Sequence, residues 1–194
     1  MATPRSQRIG IWIIAIVLTL GTLGSFLVMA LSVQNQAADQ AQQQKAYDDY
    51  LKQQKLAAQL NADNSEPLPG YESIIFDPDS VTKLNVEIIS EGAGDVIKAT
   101  DSISTSYFGW LSDGRIFDSS KKKGVDDKPV KFSLSGVIPG WTEALTGIKV
   151  GSIVRLMIPT DKAYGAQGSG IIPANSPLEY IIQIHKIDNT ATNK

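Results

Sequence analysis

Residues 137–148, Val-Ile-Pro-Gly-Trp-Thr-Glu-Ala-Leu-Thr-Gly-Ile, decide how this chain folds. Trp141, Ala144, Leu145 and Ile148 fall at i, i+3, i+4 and i+7, so one face of a short helix is apolar. Pro139 suits the first helical position, and Gly147 suits the stop. No other stretch beyond residue 80 has this spacing. A single short helix cannot bury its own apolar face and needs a sheet to lie against.

The flanking sequence supplies that sheet. Leu84, Val86 and Ile88 alternate before the turn Glu91-Gly-Ala-Gly94, and Ile103, Thr105 and Tyr107 alternate in a second strand. Ser112-Asp113-Gly114 is a hairpin signal before Ile116-Phe117. Val130, Phe132 and Leu134 share one face, as do Val154, Leu156 and Ile158, while 178–187 is apolar at its centre and reads as buried. The expected fold is α+β, a mainly antiparallel sheet with one short helix across one face.

Further upstream the chain changes character. Between Arg8 and Asp39 there are 30 residues without a formal charge. Residues 9–33 make an apolar run whose helix would be roughly 37 Å long, enough to cross a bilayer. Arg5 and Arg8 precede it, which places the N-terminus in the cytoplasm and the rest of this single-pass chain outside. A cleavable signal peptide is the competing reading, with Gln36-Ala37-Ala38 a poor cleavage site. Residues 34–60 hold nine Gln and no Gly or Pro and read as a helical stalk. Pro67, Pro69 and Gly70 then break the helix. The expected order is a cytoplasmic segment 1–8, a transmembrane signal-anchor helix 9–33, a stalk 34–60, a linker 61–83, the α+β domain 84–188 and a tail 189–194.

Composition removes many chemistries. There is no cysteine, hence no disulfide, thiolate zinc site or cysteine nucleophile. The lone histidine, His185, cannot make a metal site alone, and no Ser or Asp partnership is visible for it; no metal and no cofactor is expected. The Ser119 to Lys122 spacing of serine acyl-transferases lacks its companion motifs. Between Leu84 and Asp188 there are 11 basic and 12 acidic residues, which leaves no basic footprint for nucleic acid. The mean hydropathy of -0.07 is an average over an apolar run, a polar stalk and an electrically bland domain.

What remains is an aromatic set: Tyr107, Phe117, Phe132, Trp141, Tyr164 and Tyr180. In order, Leu84 to Gly94, Tyr107-Phe-Gly-Trp-Leu-Ser-Asp-Gly-Arg-Ile-Phe117-Asp-Ser-Ser120, Val137-Ile-Pro-Gly-Trp141, Ala163-Tyr164-Gly165, Gly170-Ile-Ile-Pro173 and Leu178-Glu-Tyr180 resemble an FKBP-type peptidyl-prolyl cis-trans isomerase. The resemblance covers residues 84–188.

The resemblance implies a curved antiparallel sheet wrapped around one short helix, with an apolar pocket between them that takes proline-containing polypeptides. Trp141 would be its floor, and Tyr107, Phe117, Val137, Ile138 and Tyr180 its walls. Asp118 would be the polar group beside it. The Ile138 N–H and the Tyr164 hydroxyl would hold substrate carbonyls, with Val130 and Ile172 among the substrate contacts. Phe132 reads as core. The family often has an aromatic residue where Val130 stands, and the loop from Gly165 to Ile172 is one residue short. Both differences remove wall area over the proline and bear on macrolide inhibitor binding and substrate preference. The expected activity is Xaa-Pro isomerisation in exported or membrane proteins. The alternatives are a tethered proline-binding module or chaperone without turnover, and an assembly factor working through its stalk.

Overall fold

The computed structural model describes residues 40–189. The chain divides into two compact units, Met1–Lys52 and Gln53–Lys194. In the first, residues 40–52 are helical and display Tyr47 and Tyr50 to solvent. Among the described residues no helix is long and apolar enough to cross a membrane. The expected span, 9–33, lies outside the described residues.

The second unit opens with α1, the helical residues 53–64. Six strands follow: β1 (Asn85–Ser90), β2 (Ser102–Trp110), β3 (Ile116–Ser119), β4 (Val130–Ser133), β5 (Ile153–Ile158) and β6 (Leu178–Ile187). They form one antiparallel sheet in the order β1-β5-β6-β2-β3, and β4 also pairs with β2. Helix α2 (Pro139–Leu145) lies across one face and buries Trp141, Ala144 and Leu145. Its start and stop follow the sequence logic. Pro139 is in the first turn, and Gly147 after the end adopts φ +90°, a conformation with little penalty only for glycine.

Val154, Leu156 and Ile158 are all inaccessible on β5, as their alternation predicts. The alternation of Leu84, Val86 and Ile88 is a weaker guide: β1 is an edge strand, and Ile88 is exposed.

Strand β2 is buried on both faces, which period-2 alternation does not suggest. One face meets α2. The other is covered by residues 66–76, within the stretch read as a linker: Leu68 is buried with Phe108, Trp110 and Ile181, and Tyr71 and Phe76 pack beside them. The Trp110 indole N–H donates to the Ile74 carbonyl at 3.0 Å. Phe108 and Trp110 stack at 5.0 Å beneath this segment.

Candidate active site

Alternation along β2 points Tyr107 to the α2 face and Ser106 away from it. Strand β3 returns antiparallel and brings Phe117 and Asp118 beside β2, with Gly109 opposite Asp118. Strand β6 places Tyr180 opposite Gly109 on the other side. A glycine is required here, because a Cβ at Gly109 would lie 2.5 Å from Tyr180 Cε1 and 2.7 Å from Phe117 Cζ. That gap lets the Phe117 and Tyr180 rings meet edge to face at 5.5 Å.

Trp141 stands at the centre of the aromatic cluster. Tyr107, Phe132 and Tyr180 meet it edgewise with centroids at 5.5, 5.3 and 5.2 Å. Above the cluster opens a cavity of about 590 Å³. Nine of the ten residues expected at the site line it: Tyr107, Phe117, Asp118, Val137, Ile138, Trp141, Tyr164, Ile172 and Tyr180. Val130 does not join them. It is 37% exposed near the start of β4, so the position where the family often carries an aromatic residue adds no wall here.

The lining also contains residues that sequence reasoning did not place there. Phe132, read as core, is both packed against Trp141 and open to the cavity. Ala58 and Asn61 come from α1, outside the span of the resemblance. A period-2 pattern could have shown that Phe132 faces α2, but nothing in a Gln-rich helix marks Ala58 or Asn61.

The polar groups are few and well held. Tyr107 Oη donates to Asp118 Oδ2 at 2.6 Å. Asp118 Oδ1 accepts from Asn61 Nδ2 at 2.8 Å and from the Ser119 N–H at 2.8 Å. Burial, and then the Asp118 charge, pushes the Tyr107 phenol far above its ordinary range and the Tyr164 phenol up. Burial also keeps Tyr180 protonated well above its usual limit. All three hydroxyls are therefore neutral donors at physiological pH. Ile138 adopts ψ 147°, the extended backbone a following proline favours. Its carbonyl accepts from the Trp141 N–H at 3.0 Å, and its own N–H has no acceptor among the described residues.

His185 lies away from this pocket. Its Nε2 is 2.8 Å from Ser106 Oγ, which in turn donates to Asp127. The expectation of no Ser or Asp partner is corrected, since the sequence separation hid a cross-strand contact. The serine stands between histidine and carboxylate, so the order needed for a hydrolytic triad is not made. No group of three or more His, Cys, Asp or Glu suited to a metal ion occurs among the described residues.

A cavity lined by aromatic side chains with one carboxylate at its rim suits a small apolar group. Residues 94–185 match the family model for FKBP-type peptidyl-prolyl cis-trans isomerases. A macrophage infectivity potentiator from Trypanosoma cruzi is 34% identical over 165 residues, covering 84% of this chain and 78% of that protein. The FKBP-type peptidyl-prolyl cis-trans isomerase FkpA from Escherichia coli K12 is 41% identical over 105 residues, 54% of this chain and 38% of the relative. The crystal structure of FkpA from Escherichia coli superposes with a TM-score of 0.52 at 30% identity, covering 84% of this chain and 71% of that one. The chain belongs to the FKBP-type peptidyl-prolyl cis-trans isomerase family. It spans well under half the length of the first curated relatives it matches.

Proposed function

We propose that this chain accelerates cis-trans isomerisation of Xaa-Pro bonds in polypeptides. The observation that carries the reading is the indole of Trp141, edged by three rings, beneath a cavity that fits an apolar ring. An Xaa-Pro bond turns over in tens to hundreds of seconds, because twisting it sacrifices amide resonance worth about 18–20 kcal/mol of barrier. The planar amide is more charge-separated than the twisted one. Removing it from water therefore costs the ground state more than the transition state, and the barrier falls without acid, base or nucleophile.

Three groups would share the work. The aromatic floor excludes water from the proline ring. The Ile138 N–H, left without an acceptor, takes a substrate carbonyl. The neutral Tyr164 hydroxyl takes another. An acceleration of about 10⁵ would ask them for about 7 kcal/mol together.

The uncharged run 9–33 supports a membrane-tethered enzyme facing away from the cytoplasm, with exported or membrane proteins as clients. Retention in the membrane fraction after alkaline carbonate extraction tests the tether.

The test of activity is NMR exchange spectroscopy on an Xaa-Pro peptide with the full chain. Wild type should speed exchange well above the peptide alone, and Trp141→Ala should remove nearly all of that rate. A wild-type chain that binds the peptide without speeding exchange is the binding module instead.

A further inference from the structure

We propose that α1, which precedes the residues matched by the family model, is a working wall of the pocket, and that Asn61 is the positioning residue that holds Asp118. This rests on the isomerase reading above.

Asn61 stands between an anion and a cation. Its Nδ2 donates to Asp118 Oδ1 at 2.8 Å, and its Oδ1 accepts from Lys122 Nζ at 2.6 Å. Lys122 is also held by Ser65 Oγ at 3.0 Å and reaches Asp118 Oδ1 at 3.5 Å as an ion pair. Ser65, just after the helix, returns a hydrogen bond from its hydroxyl to the Asn61 carbonyl at 2.8 Å. A primary amide offers a neutral donor at one end and an acceptor at the other, and so bridges the two charges.

The arrangement has two consequences for the pocket. Asp118 is fixed from both oxygens, by Tyr107 on one side and Asn61 on the other. Lys122 shares Asp118 Oδ1 with Asn61, so the amide and the ammonium together hold that oxygen at the pocket edge. The same helix brings Ala58 to the opposite rim, where a Cβ on Gly170 would lie 2.9 Å from the Ala58 Cβ. The short loop around Gly170 therefore meets α1, which supplies part of the wall that the missing loop residue leaves out.

The experiment uses the full chain and the same NMR exchange measurement, with kcat and KM resolved by peptide titration. Asn61→Ala should lower kcat about fivefold with KM within about twofold of wild type. Asn61→Asp supplies a readout that a merely structural role would not move. Ionised, it keeps the Lys122 contact but turns the donor toward Asp118 into a like charge, whereas protonated it has the shape and donor of the amide. Its kcat should therefore be low near neutral pH and recover as acid protonates the new carboxyl, while wild type shows no such rise. Lys55→Ala, on the exposed side of the helix, controls for helix disruption and should match wild type. A wild-type chain without turnover overturns the isomerase reading and this inference with it. Turnover in wild type that Asn61→Ala leaves within about twofold, or an Asn61→Asp profile parallel to wild type, overturns this inference alone.

Discussion

The hydroxyl of Tyr107 on β2 donates to Oδ2 of Asp118 on β3 over 2.6 Å, joining two neighbouring strands at the edge of the pocket. Tyr107 is almost fully buried, and its ring also meets Trp141 and Phe132. One side chain thus belongs to the hydrophobic core, the aromatic wall and the polar rim. Tyr107→Phe keeps the ring and removes only the hydroxyl. It should lower stability by about 1 kcal/mol in urea unfolding, with kcat/KM falling because Asp118 loses its donor at Oδ2. Unchanged kcat/KM would show that the orientation of Asp118 does not matter to turnover.

Gly109→Ala tests the close approach of Phe117 and Tyr180. The added methyl would meet both rings inside van der Waals contact. Overpacking of this kind costs roughly 1–3 kcal/mol. Here it must also push two pocket walls apart, so activity should fall further than the lowered thermal midpoint alone explains. A variant with wild-type midpoint and rate would mean that the rings separate freely.

Leu68→Ala separates stability from catalysis. Leu68 is 4% exposed and packs with Phe108, Trp110 and Ile181 on the sheet face away from the pocket. Truncating a buried leucine costs about 2–5 kcal/mol. The denaturant midpoint should drop accordingly, while kcat/KM of the remaining folded protein stays at the wild-type value. No loss of midpoint would mean that residues 66–76 are dispensable to the fold.

Asp101 gives the chain an acid limit. Its carboxylate accepts from the Lys98 N–H at 2.8 Å and from Asn189 Nδ2 at 3.0 Å, and these bonds, the backbone one first, hold it below the usual carboxylate range. A carboxylate depressed in the folded state stabilises above its unfolded value of about 3.9 and loses that contribution as pH falls through the lower folded value. Asp101→Asn should flatten the fall in stability below pH ~4, read as unfolding midpoint against pH. Parallel curves for the two proteins would assign the acid sensitivity elsewhere.

The residue pattern around Trp141 was enough to place one helix against a sheet. Helix α2 needs its spacing, a proline to start and a glycine to stop, all of them local signals. The aromatic walls were legible through the resemblance, because each lies inside a motif that it covers, whereas spacing alone marks the same rings as core. Phe132 was assigned to the core alone, since a short strand pattern shows which face a ring occupies but not whether that face is sealed.

Other features had no local signal at all. The burial of Leu68 depends on how residues 66–76 cross a sheet formed by strands far along the chain. The Ser106, Asp127 and His185 contact joins residues from three separate segments. Asn61 looks like any polar residue of a solvated helix until the fold sets it 2.8 Å from a carboxylate 57 residues later. By itself the sequence determined the helix, the strands, the aromatic residues and the lack of reactive side chains, since these are written in spacing and composition. The tertiary structure alone decided which residues from before the domain enter the pocket, because that depends on chain reversal and long-range packing, which no local pattern encodes.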